Sequence, residues 1–273
     1  MEIQLSVITV FYNQAEFVDD YVKTLLFLER HYRLEVLIAD NGSEDSGLTD
    51  LRSALTRLAA STSVTIVDNK KNLGFSRANN QLTQMACGVV LLFLNPDVLT
   101  KDSDLKACFQ LAMNGGISSP ALMSKNGLRY ACSSPFYDRF LFPLVKLLYW
   151  CQSGGTRTCR VDWVQGACLF VHRQRFLLVG GFCEDYFLYT EDMELGKQFE
   201  SAGWPVWLVQ GESVYHPKTR IQEAQMLTIF SNLGLYFRGR HRLSFDLYQC
   251  LLFVAGRMSY SNLRLYFRLS RNL

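Results

Sequence analysis

The first hundred residues alternate between short apolar runs and longer segments with helical spacing. The apolar runs predict strands at Leu5 to Val10, Glu35 to Ala39, Val64 to Val67 and Val89 to Leu94. Helices are predicted between them, over Ala15 to Arg30, Leu48 to Ala60 and Phe75 to Cys87. This alternation favours right-handed βαβ units and a Rossmann-like, mostly parallel sheet flanked by helices. The expected fold class is therefore α/β.

The second half has a less regular pattern. Strands are predicted at Val161 to Val171, with a break at Gly166, and at Val206 to Val209. Helices are predicted at Arg173 to Val179 and Glu191 to Ala202, and two amphipathic helices from Ile221 onward. We expect a catalytic body over residues 1–217 and a helical tail over 218–273. Within the body, residues up to about 100 form the regular half and residues 101–217 the less regular half.

The charge of the chain is concentrated in that tail. Residues 217–273 hold nine Lys/Arg and two acidic residues, a net charge of +7, whereas residues 1–216 hold nineteen and twenty-three, a net charge of −4. A basic, aromatic-rich tail is typical of a protein that meets an anionic surface, either membrane lipid or nucleic acid. A pair of solvated basic helices is the structural alternative.

Other features of the composition exclude several classes of protein. The eight cysteines include no Cys-x-x-Cys pair, so neither a zinc site nor a disulfide framework is expected. No run approaches about 18 uncharged apolar residues, which a spanning helix needs. The first residues lack the basic region of a signal peptide, so a cytoplasmic location is expected.

The apolar run that ends in Asn95-Pro96-Asp97 is the strongest local signal. It predicts a buried strand that delivers one carboxylate to the edge of the sheet, where open α/β sheets bind ligands. A hard oxygen donor there suits Mg²⁺ or Mn²⁺ carrying a diphosphate. Asn-Pro-Asp also forms ordinary turns.

Polar residues follow the other predicted strands of the first half, at Tyr12-Asn13, Asp40-Asn41 and Asn69 to Asn72. Helix capping explains Asn41, and also Ser43 and Asp45, at least as well as ligand binding. Asp40 differs because it lies where the strand ends, so its carboxylate can accept from a base imide N–H or a ribose hydroxyl.

Two further segments carry candidate chemistry. In Asn72-Leu73-Gly74-Phe75-Ser76-Arg77, the glycine permits an unusual backbone angle, and Arg77 near a helix start can meet a phosphate or remain a surface charge. Glu191 and Asp192 begin a helix, where the dipole stabilises acids. Because Asp192 follows an apolar aromatic run, it is also a candidate general base. His216 can be a metal ligand or a structural histidine.

The motifs occur in an order that resembles the family-two inverting glycosyltransferases, most closely the bacterial rhamnosyltransferase-like branch. The matching residues are Val10-Phe11-Tyr12-Asn13, Asp40-Asn41-Gly42-Ser43, Asn72-Leu73-Gly74-Phe75, Leu94-Asn95-Pro96-Asp97, Gly166-Ala167-Cys168, Gly180-Gly181-Phe182, Tyr189-Thr190-Glu191-Asp192 and His216. The resemblance covers about residues 5–217. It departs from the branch at Cys183 and at Met193-Glu194, which weakens any specific substrate assignment.

The resemblance implies a GT-A fold, a nucleotide-sugar donor (dTDP- or UDP-linked) and a divalent metal. It also implies that residues up to about 100 form a nucleotide-binding half and residues 101–217 an acceptor-binding half. It assigns the metal to Asp97 and His216, with Asn95 in place of the first acid of the family's Asp-x-Asp motif. It implies that Asp192 is the catalytic base, with Glu191 beside it in the catalytic pair, and that Asp40 contacts the nucleobase. The expected donor-binding residues are Thr9, Tyr12, Asn13, Asp40, Asn41, Asn72, Gly74, Arg77 and Asn95.

The acceptor implied by this resemblance is a saccharide on a polyprenyl diphosphate, as in O-antigen or capsule synthesis, and dTDP-rhamnose is the implied donor. The enzyme would then act at the inner face of the bacterial inner membrane, with its tail either on the lipid surface or packed on the body; nucleic acid is not an expected partner. A nucleotidyltransferase is one alternative, but no Gly-rich signature with a basic residue follows the first strand. A non-enzymatic nucleic-acid binder would leave Asp40, Asp97 and Asp192 unexplained.

Overall fold

The computed structural model describes residues 3–100, 103–124, 127, 158–217, 228, 229, 232 and 236. The strands are β1 (Leu5–Phe11), β2 (Leu34–Asp40), β3 (Ser63–Asp68), β4 (Val90–Leu94), β5 (Ile117–Met123), β6 (Thr158–Arg160), β7 (Cys168–His172) and β8 (Val206–Tyr215). The helices are α1 (Val18–Glu29), α2 (Gly47–Leu55), α3 (Phe75–Thr83), α4 (Lys106–Met113), α5 (Arg173–Leu178) and α6 (Glu191–Ser201), and a 3₁₀ turn (Ala15–Phe17) precedes α1.

All eight strands form one sheet in the order β3-β2-β1-β4-β7-β5-β8-β6. The first four strands are parallel, β7 is antiparallel to β4 and β5, β8 is parallel to β5, and β6 is antiparallel to β8. The prediction of an α/β fold with a mostly parallel central sheet is confirmed.

The four parallel strands match the predicted elements because their apolar runs are buried. β1, β2 and β4 are almost completely covered, whereas β3 is half-exposed at the sheet edge. Two predicted helices are too long, since α2 ends at Leu55 and α3 at Thr83. After α3 the chain turns beneath β1, where a Cβ on Gly88 would lie 2.6 Å from the backbone nitrogen of Ser6. This close approach requires glycine at position 88.

The second half departs further from the predicted elements. The predicted strand over 161–171 is wrong in its first part, because β7 begins only at Cys168. The backbone N–H of Gly166 donates instead to a side chain of α6, which is incompatible with a continuous ladder. Elements α4, β5 and β6 carry no clear periodic signal in the sequence and were not predicted.

Strand β8 is six residues longer than predicted because it contains a bulge. Its pairing with β5 shifts register between Pro120 and Ala121, which skips three residues of β8, from Gln210 to Glu212. The Glu212 carboxylate accepts from the backbone nitrogens of Ala107 (2.7 Å) and Cys108 (3.1 Å), in the first turn of α4. An acidic side chain there satisfies free N–H groups and complements the helix dipole.

The predicted tail helices lie mostly outside the described residues. Thr228, Ile229, Asn232 and Tyr236 are described and helical, and Asn232 and Tyr236 are buried. Within the described part of the chain, no helix has the length and apolar character needed to cross a membrane.

Candidate active site

The donor side of the site is formed where three parallel strands end together. Phe11, Asp40 and Asp68 are in register at the carboxyl ends of β1, β2 and β3. The Asp40 carboxylate is buried, and its Oδ2 accepts from the backbone nitrogen of Ser43 at 3.3 Å. Its Oδ1 is also buried and has no hydrogen-bond partner. A buried acceptor without a partner is costly, so this oxygen is suited to a donor group on a ligand.

Asn41 joins the loops that surround Asp40. Its Nδ2 donates to Asn72 Oδ1 (3.1 Å) and to the carbonyl of Gly74 (3.2 Å), and its Oδ1 accepts from Asn69 Nδ2 (3.0 Å). Asn72 Oδ1 also accepts from the backbone nitrogen of Gly74. Asn41 and Asn72 therefore fix the shape of the loops, and Asn69 completes a network that the sequence indicated only as a polar cluster.

The residues at the end of β1 and just after it occupy different depths in the site. Thr9 is buried, and its hydroxyl accepts from the Tyr21 hydroxyl at 2.9 Å. Tyr12 is 45% exposed at the rim. Asn13 has a left-handed backbone (φ 52°), and its Oδ1 accepts from the backbone nitrogen of Glu44. Thus Tyr12 offers a free surface, whereas Thr9 and Asn13 support the structure beneath and beside it.

Gly74 and Arg77 lie at the start of α3. Gly74 adopts φ 83° and ψ 173°, a region that is essentially restricted to glycine. A Cβ on it would lie 2.5 Å from the carbonyl oxygen of Phe187. The guanidinium of Arg77 is exposed and pairs with Glu184 at 3.4 Å. Because an exposed ion pair contributes only about 0–1 kcal/mol, Arg77 can exchange this partner for a phosphate.

Asp97 and His216 form a close pair, although they come from distant parts of the chain. The backbone groups of Leu99 and Tyr215 exchange two hydrogen bonds of 2.9 Å, which brings the end of β8 against the segment that follows β4. As a result, His216 Nε2 lies 3.4 Å from Asp97 Oδ2, and both side chains are largely buried. This separation exceeds that of a strong hydrogen bond, so the pair is close without being tightly bonded.

The environment of this pair suits a cation. Burial raises the pKa of Asp97, and the nearby His216 opposes that shift. Burial lowers the pKa of His216, which favours the neutral imidazole that a metal requires. Asp97 Oδ1 is buried without a partner. Among the described residues no group of three His, Cys, Asp or Glu side chains is present. Two protein ligands are sufficient where a diphosphate supplies further oxygens, so the residues fit a divalent metal.

Asn95 connects the metal pair to the catalytic acids. Its carbonyl accepts from the backbone nitrogen of Val98 at 3.1 Å, which forms the turn expected for Asn-Pro-Asp. Its backbone nitrogen donates to the carbonyl of Ala167 at 2.9 Å, at the start of β7. The adjacent Gly166 donates its N–H to Asp192 Oδ2 at 3.2 Å. Two consecutive hydrogen bonds therefore link the β4 turn to Asp192, on the same edge of the sheet.

Glu191 and Asp192 begin α6 in different environments. Burial raises the pKa of Asp192 to about 6, and hydrogen bonds from the backbone nitrogens of Gly166 and Met193 oppose the shift. Glu191 is more deeply buried, and burial together with the charge of Asp192 raises its pKa well above the usual range. At neutral pH Asp192 is thus the better proton acceptor of the two, with a pKa near that of an effective general base.

The turn before these acids is strained. Tyr189 and Thr190 are consecutive non-glycine residues with positive φ, 69° and 80°. Such conformations require about 1–3 kcal/mol each and persist only where surrounding contacts fix them. Asn232, from the tail, donates to the carbonyls of Leu188 and Tyr189, both at 2.8 Å.

The sequence predicted no role for three residues that shape the site or support it from a distance. Gly166 was recognised only as part of a motif, yet its N–H binds Asp192. Glu212 and Asn232 each bind backbone groups far away in the chain. The break at Gly166 was a usable signal, whereas nothing local distinguishes Glu212 or Asn232 from ordinary surface residues.

One cavity in the described part of the chain has a volume of about 880 Å³, but it does not coincide with this site. Its lining includes Phe27, His31, Asp104, Glu212 and Tyr215, and none of Asp40, Asp97, Asp192 or His216 belongs to it. The convergence of polar groups therefore identifies the candidate active site better than cavity size does.

Comparison with known proteins agrees with this fold. The family model of glycosyl transferase family 2 matches residues 6–135. An N-acetylglucosaminyl-diphospho-decaprenol L-rhamnosyltransferase of Mycobacterium tuberculosis (strain CDC 1551 / Oshkosh) is 30% identical over 241 residues, covering 78% of this chain and 76% of that protein. Rhamnosyltransferase WbbL of Escherichia coli (strain K12) is 28% identical over 123 residues, covering 41% of this chain and 46% of that protein.

Solved structures share the fold at lower identity. The mannosyltransferase PcManGT from Pyrobaculum calidifontis, in complex with GDP-Man and Mn²⁺, has a TM-score of 0.63 at 19% identity and covers 88% of this chain. GalNAc-T7 with UDP, GalNAc and Mn²⁺ has a TM-score of 0.62 at 17% identity and covers 80%. The present chain spans 64% and 44% of these two chains, respectively. Both neighbours support the predicted GT-A fold.

These findings favour a sugar transferase over the nucleotidyltransferase and nucleic-acid-binding alternatives. Since a relative 30% identical aligns over most of both chains, the protein belongs to glycosyl transferase family 2 and is a glycosyltransferase.

Proposed function

We propose that the protein transfers L-rhamnose from dTDP-rhamnose, with inversion, to a hydroxyl of a saccharide linked to a polyprenyl diphosphate. The observation that carries the proposal is the convergence of Asp97, His216 and Asp192 on one edge of the sheet. The rhamnose and the lipid-linked acceptor are supported by the names of the Mycobacterium tuberculosis and Escherichia coli relatives. The pathway would be the assembly of a surface polysaccharide such as O-antigen or capsule.

In the proposed reaction Asp192 accepts the proton of the acceptor hydroxyl. The oxygen of that hydroxyl attacks the anomeric carbon, the bond from this carbon to the diphosphate oxygen breaks, and the nucleotide diphosphate leaves from the opposite face. The N–H groups of Gly166 and Met193 hold Asp192 in place through both carboxylate oxygens. General-base assistance of this kind contributes about 10²–10⁴-fold to the rate.

Asp97 and His216 are the residues that would hold a divalent metal, Mg²⁺ or Mn²⁺. When bound, such an ion supplies Lewis-acid stabilisation of negative charge on the leaving diphosphate. On the donor side, Asp40 would accept from the nucleobase or ribose through Oδ1, and Arg77 would exchange Glu184 for a phosphate. Tyr12 provides exposed aromatic surface at the same rim.

The tail is proposed to contact the anionic inner leaflet of the membrane through its excess of arginines. Its net charge of +7 supports this role. Replacing Arg264, Arg268 and Arg271 with Gln should reduce binding to vesicles that contain anionic lipid, most clearly at low salt. Binding that is unchanged in this variant would remove the membrane role. These substitutions are preferable to truncation, because truncation would also remove Asn232.

The defining experiment uses purified full-length protein with Mn²⁺ or Mg²⁺, a panel of nucleotide sugars and N-acetylglucosaminyl-diphospho-polyprenol. We expect dTDP-rhamnose to give the glycosylated lipid, with inverted anomeric configuration by NMR. Matched controls are UDP- and GDP-linked sugars, and the Asp192→Asn variant. Transfer from a UDP- or GDP-sugar, with none from dTDP-rhamnose, would reject the proposed donor while preserving the enzyme class.

A further inference from the structure

The turn that precedes the catalytic acids does not hold itself in place. Tyr189 and Thr190 have consecutive left-handed conformations, and Thr190 is β-branched, which makes a positive φ especially unfavourable. A backbone of this kind is kept only where neighbouring groups determine it. The turn also leaves the carbonyls of Leu188 and Tyr189 outside the hydrogen bonding of α6.

One side chain from the tail binds both of these carbonyls. Asn232 Nδ2 donates to the carbonyl oxygens of Leu188 and Tyr189, at 2.8 Å in each case. Only 7% of the surface of Asn232 is exposed. A primary amide supplies two N–H donors from one nitrogen. A hydroxyl would supply one donor and a carboxylate none, so the residue type matches the task.

A second contact between the tail and α6 lies four residues further along the chain. The Tyr236 ring is buried, and Lys197 Nζ from α6 lies 4.7 Å from its centroid. Residues four apart lie on the same face of a helix, so Asn232 and Tyr236 meet the body together. Asn232 contacts the turn itself, whereas the ring of Tyr236 lies against Lys197, nearly two turns along α6 from Glu191.

We propose that Asn232 is a positioning residue, through which the tail holds the catalytic turn in its active shape. The proposal rests on the proposed role of Asp192, which follows Thr190 by two residues. The bond from Gly166 to Asp192 is long, 3.2 Å, so a small displacement of the turn breaks it. A shift of about 1 Å in a catalytic group can reduce the rate by roughly 10²-fold. The tail is then part of the catalytic machinery and not only a means of attachment.

The test compares three variants of the full-length chain. Asn232→Leu has similar volume and no donors, and Asn232→Asp has the same shape but directs a carboxylate at two carbonyls. We expect both to lower kcat, by up to about 100-fold, with the donor KM unchanged. The matched control is Tyr236→Leu, which removes the ring beside Lys197 but leaves both Asn232 bonds, and which should keep kcat close to the wild-type value.

A readout that needs no substrate separates this proposal from the proposed function. Hydrogen exchange of the amides in residues 189–194 should be faster in the Asn232 variants than in the wild type and in Tyr236→Leu. Faster exchange with lower kcat supports the proposal. Unchanged exchange, or faster exchange with unchanged kcat, overturns it, as does an equal loss of kcat in Tyr236→Leu.

Two further outcomes are informative. If Asn232→Leu does not fold, the isosteric Asn232→Asp decides the question by the same two measurements. If the wild-type protein transfers no sugar from any donor, the proposed function fails. Exchange in residues 189–194 still decides in that case whether Asn232 holds the turn.

Discussion

The two sides of the active site are stabilised in different ways. On the donor side, Asn41, Asn69 and Asn72 bond to one another, and the loops follow directly from strands that end in register. On the catalytic side, Tyr189 and Thr190 are strained, and the carbonyls of Leu188 and Tyr189 accept from Asn232 of the tail. The comparison indicates that the loops proposed to bind the donor are held by bonds among themselves, whereas the turn proposed for catalysis depends on a distant contact.

The sharpest test of this difference is the Asp192→Asn substitution. It removes the proton acceptor but keeps the shape of the side chain, so kcat should fall by about 10²–10⁴-fold while donor affinity is retained. Glu191→Gln is the matched control, and it should reduce kcat far less because burial already favours the neutral form of Glu191. Equal losses in the two variants would show that the acids act as a unit. Steady-state kinetics and nucleotide calorimetry provide the measurements.

Asp97 lies between the two sides and should affect metal binding. Asp97→Asn removes the carboxylate charge and should weaken Mn²⁺ binding at least about tenfold, by calorimetry. Without metal the variant should melt at a higher temperature than the wild type, because burial disfavours the charged form of Asp97. Added Mn²⁺ should raise the melting temperature of the wild type more than that of the variant. A variant that binds Mn²⁺ normally would contradict the assignment.

A donor-side substitution should change affinity and leave the chemical step intact. Asp40→Asn removes a charged acceptor at the end of β2, and a hydrogen bond to a charged group contributes about 1.5–3 kcal/mol. Donor affinity should therefore fall by roughly 10–100-fold with kcat unchanged. A fall in kcat at saturating donor would mean that the two sides are coupled. Asn41→Asp is a useful comparison, since it disrupts the amide network without touching Asp40.

A smaller effect is expected on the free energy of unfolding, at Gly74, where the donor side meets Phe187 of the catalytic side. Gly74→Ala should lower the free energy of unfolding by about 1–3 kcal/mol, because its backbone conformation excludes side chains and a Cβ would meet Phe187. Gly180→Ala is the matched control, since Gly180 has φ 91° but open space around its Cβ position. The difference between the two, measured by urea unfolding, isolates the contact with Phe187. Equal destabilisation would show that backbone strain alone matters.

The smallest predicted effect is the change of kcat with pH near neutrality. Burial raises the pKa of Asp192 to about 6, so the proton-accepting form predominates above that pH and is lost below it. The kcat should therefore fall about tenfold per pH unit below 6 and level off above it. Measurement of nucleotide release from pH 5 to 9 would check this. A profile that rises only above pH 8 would point to another base.

The difference between the two sides also explains how much the sequence could predict. The positions of Asp40 and Asp97 follow from apolar runs that end in polar residues, because buried parallel strands place their carboxyl ends together. The pairing of Asp97 with His216 depends on a bulge in β8 that Glu212 secures on α4, and no local pattern encodes it. Likewise, Asn232 is one polar residue in an amphipathic segment, and its role appears only when the carbonyls of Leu188 and Tyr189 are located.

The bridge between Leu99 and Tyr215 has a consequence for the order in which the protein matures. During synthesis the first four strands can emerge and pair while His216 is still untranslated. A nascent chain at that stage contains Asp40, proposed to bind the nucleotide. Of the pair proposed to bind the metal, it contains Asp97 but not His216. On the roles proposed above, competence to break a sugar–phosphate bond is thus acquired only after His216 and Asn232 have been translated, long after the strands that carry Asp40 can pair.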